Sequence, residues 1–165
     1  MAEKIALIWL GGGLNGAIGV GYWKYIKNYW SGWKDVSFMS LLSVSTLNGL
    51  AAEGNGVEEL EEQWLEIQRI GPSAIFRLLD IPRRIRSSNS LFSPHGIEKI
   101  VGKLNINKAV SSPITIEIVT KNETRKKFCF FSNRFSSQDT KKEIAKFRKA
   151  TLASTAMPGI FPPVL

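Results

Sequence analysis

Ile5-Ala6-Leu7-Ile8-Trp9-Leu10-Gly11-Gly12-Gly13-Leu14-Asn15-Gly16-Ala17 decides the fold, because an apolar run breaks at once into three glycines. A wholly apolar run of this length is expected of a strand over 5–10 buried on both faces of a parallel sheet. Bare N–H groups at the end of such a strand cradle negative charge, either a cofactor's phosphates or the oxyanion of a tetrahedral intermediate.

The glycines satisfy G-x-G-x-x-G, so a dinucleotide is the first ligand to weigh. That reading needs an acidic residue at the end of the second strand, whereas Asp35 precedes the next apolar run and falls at the opposite edge of a parallel sheet. The oxyanion reading needs a nucleophile on a second sharp strand-to-helix turn. Ser45, after Leu41-Leu42-Ser43-Val44, is placed for that role, and its bland alternative is a helix cap.

Outward from these turns, Trp23, Ile26, Trp30 and Trp33 recur every three or four residues and predict an indole-rich helical face in the core. Tyr22, Tyr25 and Tyr29 share a neighbouring face suited to an interfacial belt. A strand over 36–44 leads through a turn into a small-residue helix. Val57, Leu60, Trp64 and Ile67 mark an amphipathic helix with Glu58 and Glu59 in its first turn, closed by Gly71-Pro72. Residues 75–90 form a basic connection. Ser93-Pro94 opens a helix with an apolar stripe of Ile97, Ile100, Val101 and Leu104, and His95, the single histidine, sits at its start. Ile114, Ile116 and Ile118 alternate as in a strand, and another strand covers 127–132. Thr140-Lys141-Lys142-Glu143 reads as a capping box for a last helix that turns Ile144, Phe147 and Thr151 inward before Pro158.

At 165 residues and 44% hydrophobic content the chain suits one domain, 1–165. Lys and Arg outnumber Asp and Glu by 22 to 14, which points toward anionic surfaces. The basic groups fall in three clusters, Arg83-Arg84-Arg86, Arg125-Lys126-Lys127 and Lys141-Lys142-Lys146-Arg148-Lys149, without a nucleic-acid-binding signature, so lipid ranks above nucleic acid. Cys129, alone in an apolar run, reads as a buried thiol, and with His95 it makes no metal ligand set. Residues 5–23 carry no charge, but six glycines argue against a membrane helix, and Glu3 argues against a signal peptide. The expectation is a cytoplasmic protein at the membrane periphery, with no cofactor.

Three segments taken in order resemble the patatin-like phospholipases. Gly11 to Gly16 are similar to the family's Gly-Gly-Gly-x-Arg/Lys-Gly oxyanion turn, with Asn15 in place of the basic residue. Ser43 to Leu50 resemble its G-x-S-x-G-x-L-N-G elbow, read as Ser43-Val44-Ser45-Thr46-Leu47-Asn48-Gly49 with Ser45 as nucleophile, two residues short and with Ser43 as a neighbouring hydroxyl. Ala153 to Val164 resemble its Ala-Ser-x-Ala-x-Pro-x-x-Phe-Pro-Pro segment beneath the site. The resemblance implies a three-layer α/β/α fold with a mainly parallel central sheet, C-terminally incomplete. It also implies hydrolysis of lipid acyl esters by a Ser–Asp dyad, with an oxyanion hole at Gly11, Gly12, Gly13, Asn15 and Gly16. The family's aspartate lies in an Asp-Gly segment, and Asp35, Asp80 and Asp139 match none. The alternatives are a non-catalytic relative that binds lipid or a partner in the same crevice and, behind it, a dinucleotide-binding module.

Overall fold

The computed structural model describes residues 4–76, 81, 90–135 and 139–164. The Arg83-Arg84-Arg86 cluster, Asp80 and most of the basic connection lie outside the described residues. Four strands form one sheet in the order β1 (Ile5–Trp9), β2 (Val36–Leu42), β3 (Thr115–Asn122) and β4 (Lys127–Ser132). β1, β2 and β3 run parallel and β4 is antiparallel to β3, so the sheet is mainly parallel, as expected. In register, Trp9 pairs with Leu41 and Leu41 with Ile118.

The helices are α1 (Gly16–Asn28), α2 (Val44–Gly54), α3 (Val57–Ile70), α4 (His95–Lys103), α5 (Ile106–Val110) and α6 (Thr140–Thr155). α2 packs on β2, α6 on β3 and α1 and α3 on α2, which gives a mixed α/β fold with helices against the sheet. The period-2 side chains Met39, Leu41, Ile116 and Ile118 are fully buried beneath them together with Trp23, Leu50 and Phe147. Trp23 stacks on Trp9 at 5.4 Å between ring centres and meets Trp33 edge-on at 6.1 Å, so the predicted indole face is core. Its helix ends at Asn28, however, and Trp30 and Trp33 reach the core from the turn that follows.

Two other local expectations change. β1 lies at the sheet edge and is not buried on both faces. Its burial alternates, with Ile8 73% exposed on the side that also carries exposed Phe128 and Phe130, because the described helices pack against the opposite side. The last helix is capped by Asp139, one residue before the predicted Thr140, because the Asp139 carboxylate accepts from Lys142 N at 3.1 Å. No helix among the described residues is long and apolar enough to cross a membrane.

Truncating Trp23 removes the centre of the indole cluster without a neighbour able to collapse into the space. Trp23→Ala is expected to cost about 3–5 kcal/mol of stability, read as a lower urea midpoint.

Candidate active site

β2 stops at Leu42, two residues earlier than its apolar composition suggests, and α2 begins at Val44. The single residue between them, Ser43, makes the whole turn with φ 59° and ψ −128°. That region of backbone space is nearly confined to glycine, and a serine there stores about 1–3 kcal/mol of strain. The Ser43 hydroxyl has no hydrogen bond among the described residues, while its N–H donates to Ser154 Oγ at 2.8 Å.

Ser45, chosen from the sequence as the nucleophile, is buried in the first turn of α2 and faces the sheet. Its hydroxyl reaches Trp9 O and Leu42 O at 2.8 Å each and accepts from Leu42 N at 2.9 Å. With its proton shared between two carbonyls and one N–H accepted, this oxygen joins the ends of β1 and β2. Counting the elbow from Ser43 also removes the two-residue gap. Leu41-Leu42-Ser43-Val44-Ser45 then takes the G-x-S-x-G positions, and Leu47-Asn48-Gly49 falls on the L-N-G that follows.

The glycine turn lies directly beside Ser43. A Cβ on Gly11 would stand 2.6 Å from Ser43 Cβ and 3.2 Å from its Oγ, so only glycine allows the two turns to meet. Gly13 has φ +56° and opens one turn of 3₁₀ helix, Gly13–Asn15, that runs into α1. None of the described backbone bonds uses the Gly12 or Gly13 N–H. Asn15 makes no side-chain cap to α1, and a Cβ on Gly16 would strike Val44 and Trp64. Gly11 therefore borders Ser43 and Gly13 lines the same cavity, whereas Gly16 serves the packing of α1 on α2 and α3.

Two polar residues the sequence reading passed over hold this arrangement. Ser154 Oγ donates to Val119 O at 2.7 Å while receiving Ser43 N, and Thr46 Oγ1 lies 3.2 Å away, so α6, β3 and the elbow share one hydroxyl. Asn48 donates to Gly16 O at 2.8 Å and accepts from Trp64 Nε1 at 2.9 Å, which ties α1 and α3 to α2. Ser154 was visible inside the Ala153–Val164 resemblance, and Asn48 inside the elbow, but neither partner was.

Ser43, Gly13 and Leu14 open onto a cavity of about 210 Å³ walled mostly by apolar side chains, among them Leu47, Leu60, Ile67, Phe76, Ile97 and Phe161. Neither described aspartate borders it. Asp35 precedes β2, about 26 Å from Ser43 at an ordinary strand rise, and Asp139 caps α6 about 22 Å from Ser154 at the helical rise. Asp35 therefore lies at the edge away from the glycine turn, which removes the ribose partner a dinucleotide would need. Two ion pairs away from the cavity lining shift their members. The Lys103 ammonium holds the Glu66 carboxyl below its ordinary value, and Glu61 raises Lys24. His95 sits at the start of α4, where its N–H donates to Ser93 Oγ at 3.2 Å.

A family model described as patatin-like phospholipase matches residues 7–165. No curated protein matches the chain.

Strain at Ser43 and bonding at Ser45 make opposite predictions for two neighbouring serines. Ser43→Gly is expected to raise stability by about 1 kcal/mol by relieving the turn. Ser45→Ala is expected to lower it by about 1–3 kcal/mol, since buried strand-end groups lose their partner. Equilibrium urea unfolding of both variants distinguishes them, and a loss of stability in Ser43→Gly would contradict the strained turn.

Proposed function

Because the chain belongs to the patatin-like phospholipase family, a family of lipid acyl hydrolases, we propose that Ser43 and not Ser45 is the nucleophile of its acyl-transfer centre. The observation that carries this is the strained Ser43 turn pressed against Gly11, with a hydroxyl that has no hydrogen-bond partner among the described residues. Ser43 Oγ attacks the ester carbonyl of a lipid whose acyl chain occupies the apolar cavity, giving a tetrahedral oxyanion. The N–H groups of Gly12 and Gly13 receive that oxyanion, where losing one donor typically costs about 3 kcal/mol of transition-state stabilisation. Collapse expels the alcohol and leaves an acyl-enzyme on Ser43, which water then hydrolyses.

The proton of Ser43 needs a carboxylate other than Asp35 or Asp139. Their remoteness supports a second reading, in which the same crevice binds lipid without turnover. Access from a lipid surface is supported by α1, which runs from the glycine turn with Leu14, Ile18, Tyr22, Tyr25 and Tyr29 all exposed along it. Residues 4–34 contain lysines and no acidic residue, a composition compatible with anionic headgroups.

A fluorophosphonate probe tests the nucleophile without requiring turnover of a natural lipid. Labelling is expected at Ser43, to vanish in Ser43→Ala and to persist in folded Ser45→Ala. The opposite pattern would restore Ser45, and no labelling at all, with ester binding retained, would favour the non-catalytic reading. For the surface, Tyr22→Ser with Tyr25→Ser is expected to reduce sedimentation with phosphatidylserine vesicles several-fold at low salt. Unchanged sedimentation would remove α1 from the contact.

A further inference from the structure

The β3–β4 hairpin is longer than the rest of the sheet requires. Leu42, the last residue of β2, pairs with Val119, but β3 continues to Asn122 with β4 alongside, so the two strands project roughly 10 Å past the Ser43 turn at an ordinary strand rise. They do so near the cavity, because Ser154 Oγ donates to Val119 O, and Met157, three residues further on, lines the cavity while remaining exposed. The tip is braced: the Asn122 side chain accepts from Arg125 N at 2.8 Å, and Lys126 turns the chain with φ 52°. Residues 121–127 carry four cations and one anion. Glu123 takes Lys121 at 2.7 Å and Lys126 at 2.8 Å, and these ammonium groups hold its carboxyl down to about 2. Arg125 and Lys127 are exposed and have no ion pair among the described residues.

Directly after these charges, Phe128 and Phe130 are each 62% exposed on the face of the sheet away from the described helices. With Ile8, Leu10, Leu42 and Val119 they line a shallow depression of about 250 Å³. Exposed phenyl rings beside uncompensated cations match the layering of a lipid surface, where rings reach the acyl boundary and cations the headgroup phosphates. An acidic protein would satisfy the cations equally, but a lipid surface also supplies the ester whose acyl chain the neighbouring cavity takes. We propose that the β3–β4 hairpin, with Arg125 and Lys127 at its tip and Phe128 and Phe130 behind them, docks the Ser43 cavity on an anionic lipid surface. The choice of lipid rests on the reading of that cavity as the acyl site, and the contact is separate from the face of α1.

Sedimentation of the 165-residue protein with phosphatidylcholine vesicles containing phosphatidylserine, at physiological ionic strength, reads the contact. In Arg125→Gln with Lys127→Gln, binding is expected to fall about ten-fold or more, since each basic residue near such a surface is worth roughly five-fold. Lys141→Gln with Lys142→Gln removes the same charge from the start of α6, about 20 Å from Ser154 at the helical rise, and is expected to change binding by less than about two-fold. All four residues are exposed, so the thermal midpoints of both pairs are expected to match the parent's, which separates a lost contact from a lost fold. Phe128→Ser with Phe130→Ser is expected to remove the part of the binding that survives high salt. Equal losses in the two Gln pairs would reduce the effect to overall charge, and either that result or no vesicle binding by the parent overturns the proposal. Binding of soluble polyglutamate in place of vesicles would assign the hairpin to an acidic protein and overturn it as well. Fluorophosphonate labelling of Ser43 in vesicle-free solution is expected to be unchanged by the hairpin variants. Failed docking with labelling intact therefore overturns this proposal alone, and docking without labelling sustains it while removing the nucleophile.

Discussion

The molecule depends on two strand ends being brought close enough for their turns to touch. Parallel pairing sets β1 and β2 side by side, but pairing alone ends at Trp9 and Leu41. Beyond that point the alignment is held by the Ser45 hydroxyl, which spans Trp9 O and both backbone groups of Leu42, and by the missing side chain at Gly11. A hydroxyl is suited to this because it can donate and accept at once within one small volume. The Ser45 hydroxyl thus fixes the strand ends on either side of the Ser43 turn.

The same division recurs around the crevice. Apolar contacts supply the bulk of the core, but they carry no directional preference, whereas a hydrogen bond fixes angle as well as distance. Placement falls to directed polar bonds: Ser154 between β3 and the elbow, and Asn48 between α1 and α3. Strain at Ser43 persists because these bonds over-determine the backbone on both sides of it. Gly16, Gly19 and Gly49 remove the side chains that would hold the helices apart there, since a Cβ on each would meet Val44, Asn48 or Leu41 at under 3 Å.

Periodicity made most elements legible. The strand with Ile114, Ile116 and Ile118, the Val57–Ile67 stripe and the helix opened by Ser93-Pro94 follow directly from alternation or from three-four spacing, because burial on one face leaves a period in the sequence. The elbow register was not legible in that way. Leu41, Leu42, Ser43 and Val44 all suit a strand, and a positive φ at one serine leaves no periodic trace, so the turn seemed to lie two residues late. Asp139 was overlooked as a cap for a related reason: Thr140 completed a known pattern, while the carboxylate that captures Lys142 N stood just outside it.

The electrostatics of the crevice follow from what two helices omit. α2 begins directly after Ser43, so the positive end of its dipole lies beside that residue, whereas the 3₁₀ turn Gly13–Asn15 separates α1 from the glycines and the Gly16 N–H bonds to Gly13 O and Leu14 O. α3, α4 and α6 carry Glu58 and Glu59, Glu98 and Glu143 in their first turns, and each acid offsets part of its own helix's positive end. α1 and α2 have no acidic residue there. Asn15 stands where the family has a fixed cation, so the positive potential at this site comes from oriented peptide groups and not from a side chain. Such a field is short-ranged and aimed. It falls off within about a helical turn, so it acts on charge held close to the start of α2 and little on charge farther out.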